Sequence, residues 1–297
     1  MSTTEPMPHL TRAARDQLTL SDADRITAIY GARFVPHPNA KRVLERLNFL
    51  VGYPKCTRMQ CLLLYGDSGM GKTMVVEKFL REHPPTFDTA SGVARIPVVS
   101  VQMPPAPDEK RVYTQLMSAI GAPSMANERL HVLEERALRL LRKLEPKVIV
   151  IDEVHHLLSG SAREQRRSLN LLKFIANDLR VCMVAIGTAD ARIAIQTDLQ
   201  VASRFEPCHL PRWSSTDEFR GFLAAFLKGL PLHEPSDITS REAVHLLLMR
   251  TGGITGRIAL ILARAAEMAI RKGTETVNAQ WLELASRDLD LSPPLRT

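Results

Sequence analysis

The stretch CLLLYGDSGMGKTMVVEKFLRE, Cys61 to Glu82, constrains the fold more than any other. A short apolar run, CLLLY, leads into GDSGMGKT, and the pattern from Lys72 to Glu82 continues as a helix. GDSGMGKT fits G-x-x-x-x-G-K-S/T at every fixed position, and the motif requires a strand before it and a helix after it. Its glycines let backbone N–H groups turn inward around phosphates, Lys72 reaches the β and γ oxygens, and Thr73 offers a hydroxyl to Mg²⁺. Gly66, Asp67, Ser68, Gly69, Met70, Gly71, Lys72, Thr73 and Met74 are therefore read as a nucleotide-binding loop for ATP and Mg²⁺.

Four further runs supply a sheet. Ile96 to Val101 (IPVVSV), Lys147 to Ile151 (KVIVI) and Val181 to Ile186 (VCMVAI) read as the second, third and fourth strands, and Glu206 to Leu210 (EPCHL) as a short fifth. KVIVI shows no polar alternation, the mark of a strand buried on both faces. Helices are expected over His37 to Leu50, Lys110 to Ile120, Asn127 to Leu144 and Ala162 to Leu179. Strands alternating with helices imply a parallel five-stranded sheet flanked by helices, an α/β class. After Pro211 the pattern is helical only. Ser215 to Glu218 and Thr239 to Glu242 read as capping boxes, Gly252-Gly253 as a stop, and Gly256 to Lys272 and Asn278 to Arg287 as two more helices. The expected division is an N-terminal extension over 1–30, a P-loop domain over 31–212, a small all-helical lid over 213–287 and a tail over 288–297.

Bulk composition narrows the partners. With 297 residues, 45% hydrophobic and 24% charged, the chain can bury a sizeable core without staples. Its four cysteines, Cys56, Cys61, Cys182 and Cys208, form no CxxC pair and no zinc-spaced cluster, so reduced thiols are expected. No apolar run approaches the ~18 residues of a membrane span and the N-terminus lacks a signal-peptide plan, which points to the cytoplasm and no membrane. A net charge of +7 favours a polyanionic partner such as nucleic acid.

The sequence VIVIDE puts an acidic pair at the end of the third strand: Asp152 can hold the Mg²⁺ shell and Glu153 can polarise the attacking water. His155 and His156 follow. Adjacent histidines point to different faces and no third ligand is in sight, so structural or DNA-facing roles are expected for them. Thr188 ends the fourth strand beside the acidic pair if the two strands are neighbours. Arg204 precedes the fifth strand, where an arginine can complete a neighbouring subunit's site, with Arg192 as its rival. Arg257, in GGITGRI, lies in the first turn of a lid helix. Basic candidates for DNA are Lys110 and Arg111, and Arg163, Arg166 and Arg167 at spacings that share a helical face.

This order of motifs resembles the AAA+ ATPases over roughly Pro36 to Arg287. YGDSGMGKTMVVEKFLREHP, VIVIDEVHHLLSG, QRRSLNLLKFIANDLRVCMVAIGT and LPRW look like the TniB/TnsC group of transposition regulators, TniB above all. The resemblance implies an ATPase, weak and DNA-stimulated, that assembles as a ring or filament on double-stranded DNA with little sequence preference. It implies recruitment and activation of a DDE transposase of the TniA/TnsB kind, disassembly on hydrolysis, and a TniQ-like targeting protein as a further partner. Lys72, Asp152 and Glu153 carry over as catalytic residues, Thr188 and Arg257 as the first and second sensors, and Arg204 as the finger. Thr188 departs from the Asn often found at the first sensor. The alternatives are a helicase or clamp loader of replication within the same superfamily, and a small-molecule kinase outside it.

Overall fold

The structure is a computed structural model that describes residues 7–106, 108–125 and 127–287; the expected tail, 288–297, lies outside the described residues. Among the described residues there are seven strands: β1 (Cys61–Tyr65), β2 (Thr86–Asp88), β3 (Val93–Arg95), β4 (Val98–Gln102), β5 (Val148–Asp152), β6 (Cys182–Gly187) and β7 (Phe205–His209). Five of them form one parallel sheet in the order β4-β5-β6-β1-β7. All five expected strands are there, β1 with the expected bounds and the other four displaced by a residue or two. β4 begins at Val98 because Pro97 has no N–H to give to a ladder; its carbonyl accepts from Lys147 and Val148 instead.

Because the strands run parallel, their carboxyl ends share one edge, and the segments that follow β1, β5 and β6 emerge there. Residues Val148 to Ile151 and the whole of β6 are buried, as strands covered on both faces must be. Tyr113, Leu116, Leu141, Leu169 and Leu172 from the flanking helices Glu109–Ala119, Leu130–Leu144 and Ala162–Leu179 pack into the same core. The helix Ala162–Leu179 is fixed at its start by a reciprocal cap between Ser161 and Glu164. A hairpin of β2 and β3 was not expected. Its strands are three residues each and exposed, so they carry no burial periodicity.

The chain divides into two compact units, passing between them at residues 41–42, 67–68, 74–75 and 210–211. The sheet unit holds residues 42–67 and 75–210. The helical unit takes in, of the described residues, 7–41, Ser68–Met74 and 211–287. Its core is mainly aliphatic and contains a run of rings: Trp213, Phe219, Phe222 and Phe226 pack in sequence, with His37 edge-on to Trp213 at 4.9 Å. Helices Asp217–Leu227 and Arg241–Thr251 are capped by Thr216 and Ser240, each one residue beyond the caps expected from sequence. Gly252, at φ 61°, ends the second as expected. The N-terminal helix Asp22–Tyr30 belongs to this unit: Ile29 joins its core, and Arg25, 3% exposed, donates to the Pro231 carbonyl and pairs with Glu275. Among the described residues no single helix is long and apolar enough to cross a membrane.

Candidate functional site

The phosphate loop is shaped by what its glycines exclude. A Cβ on Gly66 would lie 2.5 Å from the Leu210 carbonyl oxygen, so no other residue fits where the chain leaves β1. Gly69 has φ 77°, a conformation L side chains rarely adopt, and its carbonyl accepts from the Gly256 N–H at 2.8 Å. Gly256 stands in the first turn of the lid helix Thr255–Arg271, and Arg257 follows it. The loop segment is thus tied by backbone to the very turn that carries the expected second sensor. Trp213 anchors that turn from behind: its N–H donates to the Gly253 carbonyl at 2.9 Å and its indole Nε1 donates to Thr255 Oγ1 at 3.0 Å. Sequence reasoning used LPRW only as a likeness and missed this positioning role. Lys72 and Thr73 open the helix Lys72–Glu82, whose N-terminal amides and dipole favour an anion.

The acidic pair sits at the carboxyl edge of the sheet. Asp152 Oδ1 accepts from the Glu153 N–H at 2.7 Å. Glu153 has φ 55°, left-handed for a residue with a Cβ, and conformations of this kind cluster at functional sites. That turn sets the surroundings of the two histidines. The chain after it is a short 3₁₀ helix, Val154–Ser159, and Glu153 Oε2 comes to 3.1 Å from His155 Nδ1. His156 Nδ1 donates to the Met103 carbonyl at 2.9 Å, and the two imidazole centroids are 4.8 Å apart. Glu153 is thus a third side chain beside the two histidines, and Glu-x-His-His was the signal available for that juxtaposition.

β5 and β6 are neighbours, so Thr188, just past β6, shares the edge with the acidic pair. Its side chain does not cap the helix Ala189–Gln196 that it precedes, and Oγ1 is buried with no hydrogen-bond partner among the described residues. A buried hydroxyl left without a partner is costly, which marks it as awaiting one. The two rival arginines lie at opposite edges. Arg192 is 5.9 Å from the ring of Tyr65, the last residue of β1. Arg204 stands at the amino edge, where its carbonyl accepts from the Cys61 N–H, about 13 Å of strand away from the carboxyl edge. Its guanidinium donates to Asn177 Oδ1 at 2.6 Å.

The structure brings the two basic segments together. Lys110 and Arg167 line one small cavity with Asp108, Glu109 and Glu164, so the patch is mixed in sign. Arg167 approaches Glu109 at 3.9 Å and Arg111 pairs with Asp108 at 3.3 Å. Arg163 and Arg166 are exposed and form no ion pair among the described residues. Lys110 and Arg111 also border a larger groove of about 760 Å³ whose other walls include Pro104, Pro105 and Met125.

Comparisons with known proteins accord with this arrangement. The profile of the family described as "Bacterial TniB protein" matches residues 25–215. Among solved structures, the chain is similar to the Aeropyrum pernix ORC1 protein in complex with DNA, with 20% identity, TM-score 0.61, and coverage of 88% of this chain and 68% of that one. Cdc6p from Pyrobaculum aerophilum gives 16% identity and TM-score 0.65 over 90% of this chain and 71% of that one. At these identities the likeness is one of fold, that of AAA+ P-loop ATPases with a helical region after the sheet. The chloroplastic chaperone ClpC1 of Arabidopsis thaliana is 22% identical over 245 residues, 82% of this chain, and the chain spans only 24% of that protein's length.

Proposed function

The chain belongs to the bacterial TniB family of AAA+ P-loop ATPases, and on that premise we propose that it is an ATP-dependent, DNA-binding regulator of transposition. ATP and Mg²⁺ would be held by Gly66 to Met74, with Thr73 and Asp152 as ligands of the ion; a hydroxyl and a carboxylate are the hard oxygen donors Mg²⁺ takes. When bound, the ion neutralises charge on the β and γ oxygens. Lys72 binds the same oxygens, Glu153 takes the proton of the attacking water, and Thr188 orients that water or senses the γ-phosphate through its unpartnered Oγ1. Arg257 reports the nucleotide to the helical unit.

The observation that carries the assembly reading is the position of Arg204. An arginine at the amino edge of its own sheet is remote from its own strand ends, so its service is to a neighbouring copy. Mixing Arg204→Ala with Glu153→Gln subunits, each inactive alone, is expected to restore part of the hydrolysis, because each mixed contact pairs an intact base with an intact finger. No recovery in the mixture excludes Arg204 as the finger, and loss of activity in Arg192→Ala alone transfers the role to Arg192.

In the ATP form the copies assemble on double-stranded DNA as a ring or filament, through Lys110, Arg111, Arg163, Arg166 and Arg167 and without base readout. The assembly recruits and activates a DDE transposase, with a TniQ-like protein as a targeting partner, and hydrolysis disperses it. Two structural neighbours, the Aeropyrum ORC1 protein in complex with DNA and Drosophila ORC bound to DNA, are DNA-bound proteins of this fold, which supports a DNA partner here. The test is binding to long duplex of random sequence with no nucleotide, ADP, ATP or a non-hydrolysable analogue, at two salt concentrations. Analogue-dependent, salt-sensitive binding, kept in Glu153→Gln and lost in Lys72→Ala, is expected. Binding that ignores nucleotide would return the chain to a protein-loading role in replication.

A further inference from the structure

Glu153, His155 and His156 offer a carboxylate oxygen and two imidazole nitrogens that all lie within 4.8 Å of one another. Two details separate this cluster from a chance one. His156 Nδ1 faces the Met103 carbonyl, so that nitrogen carries the proton and Nε2 keeps its lone pair; a carbonyl behind the ring is how metal-binding histidines are oriented. His155 Nδ1 is buried, has no hydrogen-bond partner among the described residues, and stands 3.1 Å from Glu153 Oε2. Two donors on one Zn²⁺, at bonds of about 2.0–2.2 Å and angles from octahedral to tetrahedral, are roughly 2.9–3.5 Å apart. That pair already has the separation a shared ion sets, and the remaining donor, on a side chain that is likewise partly exposed, lies within 4.8 Å of both.

We propose that Glu153, His155 and His156 form a site for a divalent transition-metal ion of the Zn²⁺ type, and that filling it takes Glu153 out of ATP hydrolysis. Two imidazoles and a carboxylate with a position left for water suit Zn²⁺, whereas Mg²⁺ prefers oxygen donors throughout and does not compete for the nitrogens. Nucleotide binding uses other residues, so the ion locks the chain with ATP bound and unhydrolysed. The second half of the proposal rests on the reading of Glu153 as the base; the site itself does not.

The two halves have separate tests on the full chain. ZnCl₂ titrated against a chromogenic chelator without nucleotide is expected to show a site that weakens at least about 100-fold in His155→Asn with His156→Asn. Asn retains an amide N–H for the Met103 carbonyl, and His155→Asn alone, which leaves the His156–Met103 hydrogen bond in place, guards against a fold that the double change disturbs. Zinc held unchanged in both variants, by the cysteines or elsewhere, overturns the site. In excess Mg²⁺, one equivalent of Zn²⁺ is expected to cut ATP hydrolysis more than tenfold, reversibly on chelation, while the variants keep their zinc-free rate and resist. Hydrolysis indifferent to bound zinc overturns the lock. Wild-type turnover by Glu153→Gln would instead remove the reading of Glu153 as base and leave the site standing on its titration.

Discussion

The two units fill their interiors with different side chains. The sheet unit relies on a mainly aliphatic core, drawn from five strands whose backbone groups are spent in the ladder and from the helices that flank them. The helical unit adds four large rings to its aliphatic core and buries two ionisable groups: His37 against Trp213 and Phe222, and Arg25 on Glu275. Losing one aliphatic among many is tolerated; losing one ring of four, or the partner of a buried charge, is not. Acid and single substitutions should therefore act on the helical unit first.

The largest expected effect is that of Phe222→Ala, about 3–5 kcal/mol of stability, with hydrogen exchange accelerated in peptides from 211–287 and unchanged in those covering β5 and β6. Equal loosening of both sets would show that the units unfold as one and end the contrast. Next is Glu275→Gln, which leaves the Arg25 guanidinium buried with a weaker partner. It retains the Pro231 carbonyl, and Glu275 is itself partly exposed, so about 2–3 kcal/mol is expected in urea denaturation.

His37 sharpens the contrast through pH. Burial depresses its pKa from 6.5 to about 4, so the unfolded chain takes the proton first. Its contribution is whole above pH 6.5 and is lost as pH falls towards 4, amounting to about 2 kcal/mol by pH 5. Denaturation midpoints from pH 8 to pH 5 should follow that course, and His37→Phe should flatten it. The smallest effect belongs to the sheet: Ile151→Val, a methylene among many, should cost about 1 kcal/mol.

How much of this could be read from sequence follows the same division. The strands and the phosphate loop were legible because each rests on a local signal: an unbroken apolar run for β5, fixed spacing for Gly66 to Thr73. The helix Ala162–Leu179 fell where expected because Ser161 and Glu164 mark its start. The caps at Thr216 and Ser240 were misplaced by one residue, since runs such as SST and TS offer several candidate oxygens and only the tertiary entry angle of the chain selects one. Arg25 was hidden in a polar segment because what buries it, the Pro231 carbonyl and Glu275, lies more than two hundred residues away. The cluster of Glu153, His155 and His156 was missed because it depends on one left-handed residue, which no periodicity announces.

The make-up of the helical unit has a consequence for the order in which the protein matures on the ribosome. Ile29, Arg25 and the loop segment Ser68–Met74 belong with residues after Pro211. At about 5–20 residues per second, the stretch from 42 to 210 takes roughly ten to thirty seconds to emerge. Throughout that interval the N-terminal helices have no core to join and Gly69 lacks the Gly256 amide that holds its carbonyl. The sheet unit can condense earlier, since its last strand ends at His209. In a nascent chain the Gly69–Gly256 bond that shapes the glycine loop therefore forms only after residue 256 has emerged.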